Sequence, residues 1–221
     1  MIELKQITRH REQLQKHRKR VGHQIKSRLH YFGYINAEDG RKVSKNFFTW
    51  IESLNLGEEL RISLSLSIQH WNFLNDQIEK LKTEIKSQSF EDIEREEIYQ
   101  SIPGIGDITA RTLSNELGDL SKRFSSNKSL YKFIGLTPSE HSSGESIKRG
   151  RIDRQGNPTI RRLLVQAAWR AIHKDGVLME SFKRISASRG SKKAIVAIAR
   201  KLIGRARACI TDRTLYSTGV C

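Results

Sequence analysis

Cysteine is almost missing from this chain of 221 residues, which holds only Cys209 and Cys221. The two have no partner spacing, so a disulfide scaffold and a cysteine-based zinc site are excluded, and a reducing cytosol is the expected compartment. Long apolar runs are missing too. The longest, Ala194 to Ala199, falls far short of the about 20 residues that a bilayer span needs. Met1 is followed by Ile-Glu-Leu-Lys, which lacks the basic and then apolar build of a secretory leader. Three prolines and 15 glycines exclude a collagen-like or proline-rich chain. No alternating strand pattern matches the helical ones in length, so the fold is expected to be mainly α.

Acidic residues are the remaining shortage. There are 24 of them against 40 Lys and Arg, giving a net charge of +16 and a pI near 10.1. The imbalance is uneven. Residues 1–36 carry a net +7, residues 37–100 a net −5 and residues 101–221 a net +14. A field of this size, concentrated in the last part of the chain, points to a polyanionic partner, most simply nucleic acid.

The chain organises into a region 1–95 and a domain 96–221. Residues 2–32 read as a basic helix with Ile7, Leu14, Val21, Ile25 and Leu29 at intervals of seven and four, stopped by Gly33. A short helix is expected around Phe47 to Ile51. From Leu60 a heptad pattern places Leu64, Trp71, Ile78 and Ile85 at a and Leu60, Ser67, Leu74, Leu81 and Gln88 at d, which predicts a helical hairpin, a coiled coil or an intramolecular bundle helix. Glu91 to Glu97 reads as a solvated acidic helix face. Ile102-Pro103-Gly104-Ile105-Gly106 then forms a tight turn before a helix over 107–117, and a short helix over 127–134 ends at Gly135. Residues 137–157 are polar and aperiodic, a long loop or an irregular hairpin. Asn157-Pro158 reads as an N-cap with proline at the first helical position. The helix it opens has its apolar stripe at Ile160, Leu163, Leu164, Ala167, Ala168, Ala171 and Ile172. Two further helices follow, over 177–187 and 192–203.

Three segments carry candidate chemistry. The turn at 102–106 resembles the hairpin of a helix-hairpin-helix element. There Gly104 and Gly106 let the backbone turn and a phosphate approach, while the next helix offers its N-terminal N–H groups. Residues 138–151 place hydroxyls beside His141 and three basic residues. A serine becomes a nucleophile toward phosphorus only if a base takes its proton and cations oppose the developing charge. His141 or an outside carboxylate could do the first, and Lys148, Arg149 and Arg151 the second. Residues 150–158, running into Arg161 and Arg162, form a turn-and-cap with four arginines (Arg151, Arg154, Arg161, Arg162) suited to phosphate.

These motifs in this order carry a family resemblance over about residues 96–217. Pro103-Gly104-Ile105-Gly106, Gly135-Leu136-Thr137-Pro138, Ser143-Gly144, Gly156-Asn157 and Arg162 to Trp169 resemble the C-terminal domain of IS110-type (DEDD) insertion-sequence transposases, also called bridge-RNA-guided recombinases. The helix 194–203 and Tyr216 fit the tail of that domain, and residues 1–90 resemble more loosely the basic helix and coiled coil before it. The resemblance implies a DNA transposition and recombination function with Ser143, or failing it Ser142, as the serine that attacks the DNA backbone. It implies Lys148, Arg149, Arg151, Arg154, Arg161 and Arg162 along the DNA path. It also implies magnesium, held by four acidic residues of an N-terminal RuvC-like domain. Residues 1–100 show no alternating strand-and-helix pattern of that kind, so the expectation is a C-terminal portion with no cofactor of its own, inactive alone. Expected partners are DNA, a guide or bridge RNA, and a second copy or a full-length transposase through residues 60–88. The expected location is the prokaryotic cytoplasm at the nucleoid, with no membrane. The alternative is a non-catalytic helix-hairpin-helix module binding DNA or RNA, or an interfering fragment.

Overall fold

The computed structural model describes residues 3–35, 43–87, 92–143, 146–153 and 155–219, with backbone alone for Leu4, residues 140–143 and 146–149, and Arg151. Gln88, Glu91, Gly144 and Arg154 lie outside the described residues. The chain divides into two compact units, residues 2–88 and 89–221.

The first unit holds α1 (Leu4–Tyr31), α2 (Lys45–Ser53) and α3 (Glu58–Ser87). The heptad positions Leu64, Leu74, Ile78 and Ile85 are buried, and they find their partner within the chain. Leu64 packs with Ile25 and Leu29 of α1 and with Phe47, Phe48 and Ile51 of α2. The two long helices run antiparallel. Arg28, late in α1, donates to the hydroxyls of Ser63 (2.7 Å) and Ser67 (3.1 Å), early in α3. Arg18, earlier in α1, donates to Asn75 and stacks 5.3 Å from the Trp71 ring. The polar residue Ser67 thus sits in an apolar seam because an arginine from the facing helix reaches it. Ser44 caps α2 by accepting from the Phe47 N–H.

The second unit holds α4 (Ile93–Ser101), α5 (Asp107–Leu117), α6 (Leu120–Arg123), α7 (Asn127–Ile134), β1 (Pro138–Ser143), β2 (Ser146–Ile152), α8 (Pro158–Ala171), α9 (Gly176–Arg189) and α10 (Ser191–Asp212). Helix α10 is the axis of the core. It buries Ala194, Ile195, Ile198, Ala199, Leu202, Ile203 and Ala206, and α4, α6, α7, α8 and α9 all pack on it. The alanines on α8 and α10 allow close helix approach, and the larger side chains of α5 and α7 fill the space around them. The fold is mainly α, as the periodicity predicts. Residues 138–152 form an antiparallel two-stranded ribbon, polar enough that no alternating pattern marks it in the sequence. No helix among the described residues is long and apolar enough to cross a membrane.

One expectation is corrected. The acidic stretch 91–97 is not wholly a solvated face, because Glu96 is 3% exposed. Packing of α4 along α5 turns it inward, where Arg111, equally buried, lies 2.5 Å from its carboxylate. An acid taken from water needs such a partner. Arg111→Met should strip the buried Glu96 of this partner and cost about 3–5 kcal/mol in urea unfolding. The double change Glu96→Leu with Arg111→Met should recover most of that loss.

Candidate nucleic-acid interface and serine-bearing hairpin

The β1–β2 ribbon is the segment on which the candidate nucleophile falls, and its base is built from two glycines. Ser126 opens α7 with a capping box, and Gly135 ends it with a left-handed φ of +75°. The Leu136 N–H returns to the Tyr131 carbonyl at 2.9 Å and the Gly135 N–H to Lys132, a closure that favours glycine. A Cβ on Gly135 would stand 2.7 Å from the Asp153 carbonyl oxygen and 3.0 Å from the Gly156 nitrogen. A Cβ on Gly156 would stand 2.4 Å from the Ile134 carbonyl carbon and 2.6 Å from the Phe133 oxygen. The two ends of the hairpin therefore meet backbone to backbone. Three hydrogen bonds lock them: Asn157 N–H to Phe133 O (3.1 Å), Asp153 N–H to Thr137 O (2.7 Å) and Arg161 Nη1 to Ile134 O (3.2 Å). The Asn157 side chain then caps α8 by accepting from the Thr159 and Ile160 N–H groups.

Above this base the register pairs Glu140 with Arg149, His141 with Lys148, Ser142 with Ile147 and Ser143 with Ser146. Successive residues of a strand belong to opposite faces, and directly paired residues share one. His141 and Ser143, with Lys148 and Ser146, therefore lie on one face of the ribbon. Glu140 and Ser142, with Arg149 and Ile147, lie on the other.

The remaining expected DNA contacts separate in the structure. Gly104 has φ +89°, and a Cβ there would stand 2.6 Å from the Ala167 carbonyl oxygen and 2.9 Å from the Arg170 Cβ. Its bare surface is used by α8. Gly106, at the N-cap of α5, is exposed, with nothing within 4 Å of an added Cβ. Arg161 is part of the hairpin base, whereas Arg162 is exposed and donates to Gln166. Lys148, Arg149 and Arg151 are placed in β2 by their backbone alone, and Arg154 lies outside the described residues. For the magnesium that the resemblance implies, no group of three or more His, Cys, Asp or Glu among the described residues could hold a metal ion.

A polar lock that composition does not reveal ties the tail to this unit. The Asp175 side chain is fully buried. It caps α9 through the Val177 and Leu178 N–H groups and accepts from the Tyr216 hydroxyl (2.5 Å) and Arg205 (3.0 Å). The Tyr216 N–H in turn donates to Ser101 Oγ at 2.9 Å, at the end of α4. Burial alone would raise the Asp175 carboxyl, but the Tyr216 hydroxyl, the two N–H groups and Arg205 outweigh it and hold it below its ordinary value. Tyr216 is pushed up to about 12, by burial first and then by its bond to Asp175. The lock joins residues 30 and 41 positions apart, a separation no local pattern encodes.

Comparison with known proteins fits this architecture. Residues 96–184 match the Transposase IS116/IS110/IS902 family. The chain is 32% identical over 215 residues to the transposase for insertion sequence element IS1328 of Yersinia enterocolitica, covering 96% of this chain and 64% of that protein. It is 30% identical over 220 residues to the transposase for insertion sequence element IS1111A of Coxiella burnetii, covering 95% and 58%. A putative transposase of Sinorhizobium fredii is 41% identical over 70 residues, 32% of this chain. The unit built on residues 89–221 contains the segment that matches the IS110-type insertion-sequence transposase family, residues 96–184. The chain is similar to such transposases along almost its whole length, and it spans about three fifths of the length of the first two relatives.

Gly156→Ala should destabilise the second unit by about 1–3 kcal/mol in urea unfolding, because backbone must move to admit the methyl group. Gly176→Ala, with open space at its Cβ, should stay within about 0.5 kcal/mol of the parent. Tyr216→Phe should cost about 1–2 kcal/mol at neutral pH. A lowered Asp175 stabilises the fold above its ordinary pKa, and that contribution is lost as pH falls through the folded value. The difference between Tyr216→Phe and parent should therefore shrink in acid. Tyr216 acts in the other direction: the parent should lose stability from about pH 10 toward 12 as the unfolded phenol ionises first, and the variant should lack the share of that loss that Tyr216 contributes.

Proposed function

We propose that this chain binds DNA through the cationic surface of its second unit and supplies Ser143 as the nucleophile for strand cleavage and transfer in transposition. The observation that carries the reading is the ribbon register, which sets residue 143 on the same face as His141 and Lys148 and sets Ser142 on the opposite face. In the step proposed, the Ser143 oxygen forms a bond to phosphorus and the bond from phosphorus to one sugar oxygen breaks. The serine proton passes to His141, Lys148 opposes charge on the non-bridging oxygens, and the departing sugar oxygen takes up a proton from solvent water. The glycine base supports the reading because it fixes the ends of the ribbon that carries residue 143. The α4–turn–α5 element, with Gly106 open to solvent, supports a helix-hairpin-helix-like phosphate contact beside the arginines. Ile62, Leu66 and Phe73, exposed on α3 away from its buried seam, support pairing of two copies through residues 60–88.

The test uses insertion-sequence end DNA in magnesium buffer, with the chain alone and with the full-length Yersinia relative added. Parent protein should bind with log affinity falling against log salt at about −0.9 per neutralised phosphate, and should form a covalent protein–DNA adduct in at least the mixed assay. Ser143→Ala should abolish the adduct formed by this chain and leave DNA affinity within about twofold, since phosphate contacts dominate affinity. An adduct that survives in Ser143→Ala but not in Ser142→Ala would transfer the role to Ser142. Salt-sensitive binding without any adduct from this chain would leave a non-catalytic binding module, and a flat salt response would overturn both.

A further inference from the structure

Trp169 of α8 is 42% exposed, while the other large apolar residues of that helix are buried or half-buried. Its ring is held in place rather than loose. Phe182 of α9 meets it edge-on, with centroids 5.6 Å apart and planes at 64°, and Phe182 itself packs on the core. The indole thus has one side anchored and part of its surface open to water.

Its surroundings are cationic. Arg162, Gln166, Trp169, Arg170 and His173 follow one another at helical spacing, and all five are exposed. Helix α8 contains no acidic residue. Helix α9 has one, Glu180, against exposed Lys183, Arg184 and Arg189. The Arg170 Cβ lies where a side chain on Gly104 would go, so the turn between α4 and α5 stands against the same part of α8.

Three occupants can be compared. A protein partner needs a contiguous apolar patch of some hundreds of Å², and a single ring among arginines does not supply it. Duplex DNA offers phosphates but keeps its bases stacked inside, so the ring would have nothing to meet. An unpaired nucleotide offers a base face for the indole and phosphates for the arginines. We propose that Trp169 is a stacking platform for an unpaired base of a DNA strand, with Arg162 and Arg170 taking the phosphates beside it. This rests on the DNA-binding reading above and adds a preference for strands that have been opened.

The test compares parent, Trp169→Ala and Trp169→Phe in binding to oligothymidylate of about fifteen nucleotides and to a duplex of the same length. Trp169→Ala should weaken single-strand binding by about 5- to 150-fold and leave duplex binding within about twofold. Trp169→Phe, which keeps a ring, should fall between parent and Trp169→Ala. Thermal unfolding and duplex affinity check that each variant is folded, and the phenylalanine variant keeps the test open should the alanine variant fail to fold. Unchanged single-strand affinity in Trp169→Ala, with duplex binding still salt-dependent, would overturn this proposal and spare the DNA-binding reading. Equal losses on both substrates would also overturn it. If the parent binds neither substrate, both readings fall together.

Discussion

Two stretches of backbone meet at Gly135 and Gly156, with the Arg161 guanidinium alongside, and the placement of the β1–β2 ribbon follows from that meeting. A two-stranded ribbon has little stability of its own. The strands 138–143 and 146–152 are mostly polar in sequence and carry no alternating apolar pattern that would orient them. Their direction is inherited from the base, where α7 ends in a left-handed turn and α8 begins at a capped asparagine a backbone's width away. Arg161 completes the junction by reaching the Ile134 carbonyl. Much of the motif order on which the resemblance rests, Gly135 to Pro138 and Gly156-Asn157, is thus the junction itself.

The electrostatics follow a similar economy. Of the nine acidic residues after position 100, Glu116 and Asp175 are buried. Asp175 spends its charge on Arg205, Tyr216 and the start of α9. Acids used inside a fold do not neutralise its surface, although Asp175 takes the charge of Arg205 inward with it. Glu96, buried against Arg111, does the same from the acidic stretch before. Helix α8 itself contributes arginines and no acid, and a surface of that sign attracts polyanions.

Helices were legible because their signals are local. The α8 cap at Asn157 with Pro158, the stop of α7 at Gly135 and the buried face of α10 all follow from spacing and from single residues at helix ends. The heptads of α3 were also legible, but their partner was not, since an apolar seam does not say which helix covers it. Here α1 covers it, and Arg28 accounts for the polar seam position Ser67. The ribbon was half legible, as a loop or hairpin, because ladder hydrogen bonds leave no hydrophobic period when both faces are polar. The partners of Glu96 and Asp175 were not legible at all. Each lies on another element, and a lone acid in a sequence looks the same whether water or an arginine faces it.

Glycine shows where motif reading stops. A glycine permits close approach, and the sequence assigns that freedom at 104 and 106 to an incoming phosphate. At Gly104 the approaching group is the backbone of α8 at Ala167, and at Gly135 and Gly156 it is protein again. Only Gly106 is left open. The permission is encoded locally, but the identity of what comes close is a property of the assembled core. Conversely, the ribbon register separates Ser142 from Ser143 although their sequence surroundings are nearly the same, because a strand turns neighbours to opposite faces. The chemistry proposed for this hairpin therefore depends less on which residues it contains than on the parity of their positions above a glycine junction that fixes the face.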